Sequence, residues 1–245
     1  MNPTYTKYEL IRLARNKRFF FFSVGFPVVL FLFIGGSNRN TVIENTGGLK
    51  FGLFYMIAMA GYGAMIAAIS GGARIAAERS IGWNRLLRLT PLRPRSYFAS
   101  KVVTAYLMAL VSIVILFLAG LVLRVRIDSV SRAAEMVGLI LVGVAPFVAL
   151  GIALGHLLTV DSMGPAIGGG ASLFAFLGGM WFPLPKGSVL QRIGESLPSY
   201  WIAQASKTGI GGASWSALGW LVVLAWTVVM TGLAARAFQR DTKRV

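Results

Sequence analysis

An all-α membrane protein with six transmembrane helices is the fold class this sequence predicts, and three observations predict it. The 245 residues are 56% apolar and only 13% charged, where a soluble domain carries about 25% charged residues. The charges are segregated. Six stretches free of Asp, Glu, Lys and Arg cover 19–38, 51–73, 102–123, 136–160, 162–185 and 208–235, and about 20 apolar residues span a bilayer as a helix. The stretches are continuously apolar, as at 111–118, whereas barrel strands of about 10 residues alternate with a period of two.

The net charge of +16 would suggest nucleic acid in a soluble protein. Here the basic residues all lie between the apolar stretches or at the chain ends, so no nucleic-acid partner is expected. Their distribution sets the orientation, because cytoplasmic segments are rich in Lys and Arg. With the N-terminus inside, the inner segments hold 16 Lys and Arg and the outer ones 8, while the acidic residues divide 4 and 4. Both termini are therefore expected in the cytoplasm of a multi-pass cell-membrane protein, facing anionic lipid. The first apolar run lacks the layout of a cleaved signal: its basic lead is long and no A-x-A site follows.

The elements follow in order, as one transmembrane domain over 1–245 with spans near 19–38, 51–77, 102–123, 136–159, 163–182 and 217–237. Residues 4–18 place Tyr5, Tyr8, Leu10, Ile11 and Ala14 at helical spacing with Lys7, Arg12, Arg15 and Arg18 on other faces. That suits an amphipathic helix in the membrane interface or a basic topology anchor. Between spans two and three, Trp83, Leu86, Leu87 and Leu89 form an apolar stripe among Arg79, Arg85 and Arg88, and Pro91 and Pro94 end it. This reads as a short cytoplasmic helix for docking a partner, or as a topogenic loop. Pro27 and Pro146 allow kinks, and Gly151-x-x-x-Gly155 and Gly164-x-x-x-Gly168 suit close helix approach. Between spans five and six, Ser188 and Gln191 make a capping-box pattern. A short helix over 188–197 then lies at the outer surface or dips into the membrane. Non-helical backbone there must be shielded by protein or face water.

Catalytic chemistry is missing. The chain has no cysteine, no phosphate-binding loop with Gly-Lys-Ser/Thr, and no mid-span carboxylate of the kind that drives a single-chain carrier. The lone His156, with Asp161 five residues on, makes no metal site and is expected to be structural. No cofactor is expected on this chain, and any work it does must be powered from another one.

Two groups of residues carry a resemblance. Glu78-Arg79-x-x-Gly82 leads to Leu86, Leu87, Thr90-Pro91 and Lys101. Gly178-Gly179-Met180-Trp181-Phe182-Pro183 precedes Leu197-Pro198-Ser199-Tyr200-Trp201. In this order between these spans, the chain resembles the membrane subunit of type-2 ABC exporters, the bacterial drug- and antibiotic-exporting permeases, over nearly its whole length. Trp83 departs from the pattern, which often has Thr there.

The resemblance implies a permease subunit, not itself an enzyme. It would pair with a second permease, identical or homologous, and with two copies of an ATPase subunit that hold ATP and Mg. Glu78, Arg79, Gly82, Trp83, Arg85, Leu86, Leu87, Arg88 and Pro91 would couple it to the ATPase. Glu78 is expected at the membrane exit beside Arg79, Arg85 and Arg88, in an exposed pairing worth about 0–1 kcal/mol, so that Glu78→Ala would leave expression intact. A path for hydrophobic or amphipathic cargo (drug, antibiotic, lipid or peptide) would be lined by Phe51, Tyr55, Met59 and Tyr62 of span two and by Phe174, Leu177 and Trp181 of span five, facing a seam between two permeases. The competing reading is a membrane sensor or scaffold that binds a partner and transports nothing.

The orientation is testable. A cysteine at Ser188 should react with an impermeant reagent on intact cells and one at Ser80 should not; the reverse pattern overturns the topology.

Overall fold

The computed structural model describes residues 17–44, 46–82 and 94–243. Every regular element among them is helical, and the one β-bridge pairs Val42 with Lys50 inside a loop. Helix α1 runs through Lys17–Phe20, Phe21–Gly25, Phe26–Leu30 and Phe31–Gly35, the second and fourth stretches wound as π-helix. Pro27, which lacks an N–H, lies just after the first widened stretch. Then follow α2 (Phe51–Ser80), α3 (Pro94–Val122), α4 (Val130–Leu157), α5 (Val160–Leu177), α6 (Val189–Glu195) and α7 (Pro198–Gln204). A 3-10 turn over Ala205–Ile210 leads to α8 (Ala217–Lys243).

Four of these helices are long and apolar enough to cross a membrane: Phe51–Ser80, Ser96–Val122, Val130–Leu157 and Ala217–Asp241. The apolar part of α1, Phe21–Gly35, is shorter, and α5 has 18 residues with glycine at 168–170. The helices outrun their apolar runs. α3 starts at Pro94 rather than near 102, and α4 at Val130 rather than near 136. Charge ends an apolar run but not a helix, because Lys and Arg are good helix formers. Pro94 therefore opens α3, as Pro suits a first helical turn. The interfacial helix expected over 4–18 and the docking stripe Trp83–Leu89 lie outside the described residues, apart from the start of α1.

The architecture is a bundle built around α2, which packs on α1, α3, α4, α5 and α7 and is buried along almost its whole length. It is rich in small residues, with Ala58, Ala60, Ala64, Ala67 and Ala68 all buried. In lipid there is little hydrophobic drive between helices, so close van der Waals approach must hold them together. The closest approach is to α4. A Cβ on Gly72 would collide with the carbonyl of Gly151, and one on Gly155 would lie 2.5 Å from the carbonyl of Gly72. The Gly151-x-x-x-Gly155 pattern thus packs as expected. Gly164-x-x-x-Gly168 does not: a Cβ at either position would meet no other element within 4 Å, because that side of α5 faces outward. The outer surface of the bundle is apolar, with Phe22 and Phe33 of α1 and Leu221, Leu224 and Val228 of α8 exposed, as a lipid-facing surface requires.

The helical break after α5 resolves into two parts. Ser188 caps α6 by accepting from the Gln191 N–H, while Gln191 Oε1 accepts from the Gly187 N–H at 2.6 Å, so the capping pattern is real. α6 stays at the rim with Val189 and Ile193 exposed. The element that enters the bundle is α7. Its Ile202 is fully buried and presses against Gly61 of α2 and Gly143 of α4. Gly61 is ten residues into α2, about 15 Å along the helix. Ser199 donates to the Phe174 carbonyl at 2.7 Å, and Trp201 Nε1 to the Glu195 carbonyl at 2.9 Å. Irregular backbone at this depth is tolerated because protein surrounds it.

Gly155→Ala should cost about 1–3 kcal/mol, since a methyl group must displace backbone, whereas Gly168→Ala should be neutral or slightly stabilising, from helix propensity alone. Thermal unfolding of the detergent-solubilised chain decides it; equal losses would mean that the glycine contact does not hold α2.

Candidate functional site

Two ends of the bundle can be told apart. One carries the end of α2, the start of α3, the end of α4 and the end of α8, and is termed the lower end. The other carries the loops 36–50 and 178–216 and is termed the upper end.

At the lower end α2 delivers Glu78 to α3 and Arg79 to α4 and α8. Glu78 points inward. Its side chain is 3% exposed, and its Oε1 lies 2.6 Å from Lys101 Nζ, itself 1% exposed. Its Oε2 accepts from the Tyr97 hydroxyl at 2.6 Å. The Lys101 ammonium also stands 5.1 Å from the centre of the Tyr97 ring, a cation–π distance. Tyr97 and Lys101 sit one turn apart on α3, so one helix face presents both to the carboxylate. The pair fastens the two roots of the segment between α2 and α3.

Arg79 points toward α4. Its Nη1 donates to the carbonyls of Gly155 and Leu158, at 3.0 and 3.3 Å. These belong to the last turn of α4, whose carbonyls have no intrahelical partner and carry the negative end of the helix dipole. The Arg79 guanidinium also lies 2.8 Å from Asp241 of α8, and the same Asp241 oxygen is 3.1 Å from His156 Nδ1. Phe98 and Phe238 close the cluster edge to face at 4.7 Å, and both rings pack on His156. Four helix ends are thus tied by two carboxylates. Just beyond, Gly82 has φ +70°, a left-handed conformation that favours glycine and turns the chain out of α2.

This corrects the sequence expectation for Glu78. Arg79 does not pair with it but caps α4, and Glu78 is buried against Lys101 and Tyr97 instead of exposed. A carboxylate at the last apolar turn of α2 faces protein, and only tertiary packing selects its partner. Trp83, Arg85, Leu86, Leu87, Arg88 and Pro91 lie outside the described residues. His156 is buried, and its partner is Asp241 and not the nearby Asp161. Tyr97 and Asp241 were missed. The available signals were weak: Asp241 is the sole acidic residue after Glu195, and Lys101 closes the motif that Glu78 opens.

The aromatic and Met stripe of α2 is also placed differently from its expectation. Tyr55, Met59 and Tyr62 are buried inside the single chain and present no face to a seam between two copies, because α1, α3, α4 and α5 surround α2 on all sides. Phe51 stacks on Tyr55 at 5.2 Å. Helices α2 and α5 do pack together. The Tyr62 hydroxyl lies 3.4 Å from Ser172 Oγ, and its ring stands edge-on to Trp181 at 6.1 Å. The Trp181 Nε1–H is buried with no hydrogen-bond partner among the described residues. Phe174 turns away to Phe147 and Trp226, at 5.1 and 5.7 Å, and Leu177 is half-buried near the end of α5. Ser172 is the polar partner that the sequence reading lacked.

Glu78→Ala should destabilise the chain by about 3–5 kcal/mol, because it takes the carboxylate away from a buried ammonium. Joint replacement by Glu78→Met and Lys101→Met should recover most of that loss. Both are read from thermal unfolding and membrane expression; a neutral Glu78→Ala would show that water reaches the pair.

Comparison with known proteins agrees with the arrangement. Residues 36–236 match the family described as "ABC-2 family transporter protein". The chain is 29% identical over 225 residues, covering 90% of each chain, to the protein named "Putative transport permease YvfS" of Bacillus subtilis (strain 168). A match over most of the bundle, from the end of α1 to the last turns of α8, shows that the chain belongs to the ABC-2 family of transporter proteins and is a type-2 permease subunit.

Proposed function

We propose that this permease carries a hydrophobic or amphipathic cargo out of a bacterial cell, driven by ATP hydrolysis on a separate ATPase subunit. In this reading α1 and α5 complete a set of six spans, both termini and the lower end face the cytoplasm, and two permeases stand over two ATPases. The single observation that carries the reading is the buried Glu78–Lys101 pair. It joins the roots of the segment that the family resemblance assigns to ATPase contact, and it sits among the ends of α2, α3, α4 and α8. A push on that segment is delivered to four helices together instead of bending one. Arg79 and Asp241 extend the connection to α8.

The cargo path in this proposal passes where α2 meets α5. Burial of Tyr55, Met59 and Tyr62 in one chain then means that the path is closed in this conformation and opens by separating α5 from α2. Tyr62, Ser172 and the unpartnered Trp181 N–H supply polar contacts in an otherwise apolar region. Helix α5 suits such movement, since a Cβ added at Gly164, Gly168, Gly169 or Gly170 would meet no other element within 4 Å.

The test uses the chain co-reconstituted in liposomes with an ATPase subunit that co-purifies with it. Permease-stimulated ATP turnover and efflux of a fluorescent amphiphilic dye are followed together. Leu86→Ser with Leu87→Ser should leave the bundle folded and abolish both signals, as loss of apolar anchors does at an interface. Association without stimulated turnover in the parent chain would favour the sensor or scaffold reading.

A further inference from the structure

The upper end holds a chemical feature that the transport reading does not use. A cavity of about 420 Å³ opens between the loop 36–50, the loop 178–188, α7 and the 3-10 turn. That is within the usual range of small-molecule pockets, about 300–1,000 Å³. Its wall includes Glu44, Lys186, Gln204 and Lys207 together with Phe54 and Leu184. The fold places each of them. The Val42–Lys50 bridge holds the loop that carries Glu44, and Gly187 with φ +79° turns the chain after Lys186. Lys207 is half-buried on the 3-10 turn.

Two lysines thus share one concave wall. Among the described residues neither makes an ion pair with a carboxylate. Burial and the nearby Lys186 ammonium push Lys207 below the ordinary lysine value, with Glu195 acting in the other direction. Like charges held together in a partly desolvated place repel, and an anion between them relieves that repulsion. Gln204 Oε1 is buried with no hydrogen-bond partner among the described residues, and a buried acceptor without a donor is costly. The cavity therefore offers cationic donors for an anion and, from Gln204 and Glu44, acceptors for hydroxyl groups. Phe182 and Val189 are exposed apolar residues in the segments that form its rim.

We propose that this cavity binds the headgroup of an anionic amphiphile of the glycerophosphate class, its phosphate between Lys186 and Lys207 and its hydroxyls on Glu44 and Gln204. Apolar contact with Phe54 and Leu184 takes the carbon skeleton, and the acyl chains leave along the exposed rim. The inference deepens the transport reading by giving the cargo, or a lipid that moves with it, a headgroup class. It rests on that reading only for the movement of the bound molecule, not for its binding.

The experiment measures binding alone, so its failure leaves the permease assignment standing. The purified full-length chain is placed in phosphatidylcholine nanodiscs doped with phosphatidylglycerol, and retained lipid is quantified by mass spectrometry. In parallel, soluble glycerol 1-phosphate is titrated into the chain in detergent. Lys186→Gln with Lys207→Gln should weaken one or both by about tenfold, the scale of one lost charge-assisted hydrogen bond. An effect confined to phosphatidylglycerol means that the acyl chains are required, and one confined to glycerol 1-phosphate means that a soluble phosphate is the ligand; either supports the site. Glu44→Gln keeps an acceptor and removes a negative charge, so it should tighten binding, which a merely disturbed fold would not do. Arg132→Gln removes a basic residue outside the cavity and should change nothing. Binding unchanged in the double variant, an equal loss in Arg132→Gln, or weaker binding in Glu44→Gln would overturn the proposal.

Discussion

The contact of Gly72 with Gly151 and Gly155 is the constraint on which the rest of this bundle depends. It lets α4 approach α2 backbone to backbone, at a separation that no side chain permits. Without water to drive apolar surfaces together, such approach supplies the dispersion energy that lipid contacts would otherwise match. Once α2 and α4 are this close, α3 and α5 complete the enclosure of α2, and α7 fills the upper part of the interior with Ile202. The same contact also fixes the lower end. Gly155 adjoins His156 and offers its carbonyl to Arg79, so the helix crossing and the polar cluster are set by one segment of α4.

The two ends then differ in how they treat charge. At the lower end Glu78 and Asp241 are each held by partners within the protein: Glu78 by Lys101, and Asp241 by Arg79 and His156. A buried pair contributes little net stability but punishes any rearrangement that separates it. These pairs tie the ends of α2, α3, α4 and α8 to one another. At the upper end Lys186 and Lys207 share a cavity with one carboxylate, Glu44. Charge that the fold leaves poorly compensated is available to something that arrives from outside.

The central placement of α2 also changes how its aromatic stripe is understood. Tyr and Met at helical spacing look like a surface when only one helix is considered. Inside the bundle they are a core, with Tyr62 satisfied by Ser172 and Phe51 stacked on Tyr55. A hydroxyl in such a core needs a partner, and the partner comes from α5, more than a hundred residues later in the chain. That contact is the one place where the two helices expected to form a path meet through polar atoms among the described residues.

Much was legible from the sequence alone. Apolar length and charge segregation announced a helical membrane bundle, because backbone polar groups in lipid must be satisfied within each segment. The Ser188–Gln191 cap and the Gly151–Gly155 approach were readable for the same reason: their partners lie within one turn, or the residue's lack of a side chain is itself the signal. Family membership was legible in motifs whose order along the chain mirrors the order of the helices. Only the tertiary structure decided which carboxylate meets which cation, that α2 is enclosed and not at a seam, and that α7 enters the bundle in place of the amphipathic α6. Those outcomes depend on contacts between residues far apart in the chain, such as Glu78 with Lys101, 23 positions on, and Tyr62 with Ser172, 110 positions on. Periodicity reports which face of a helix is apolar, but it carries no information about what that face will meet.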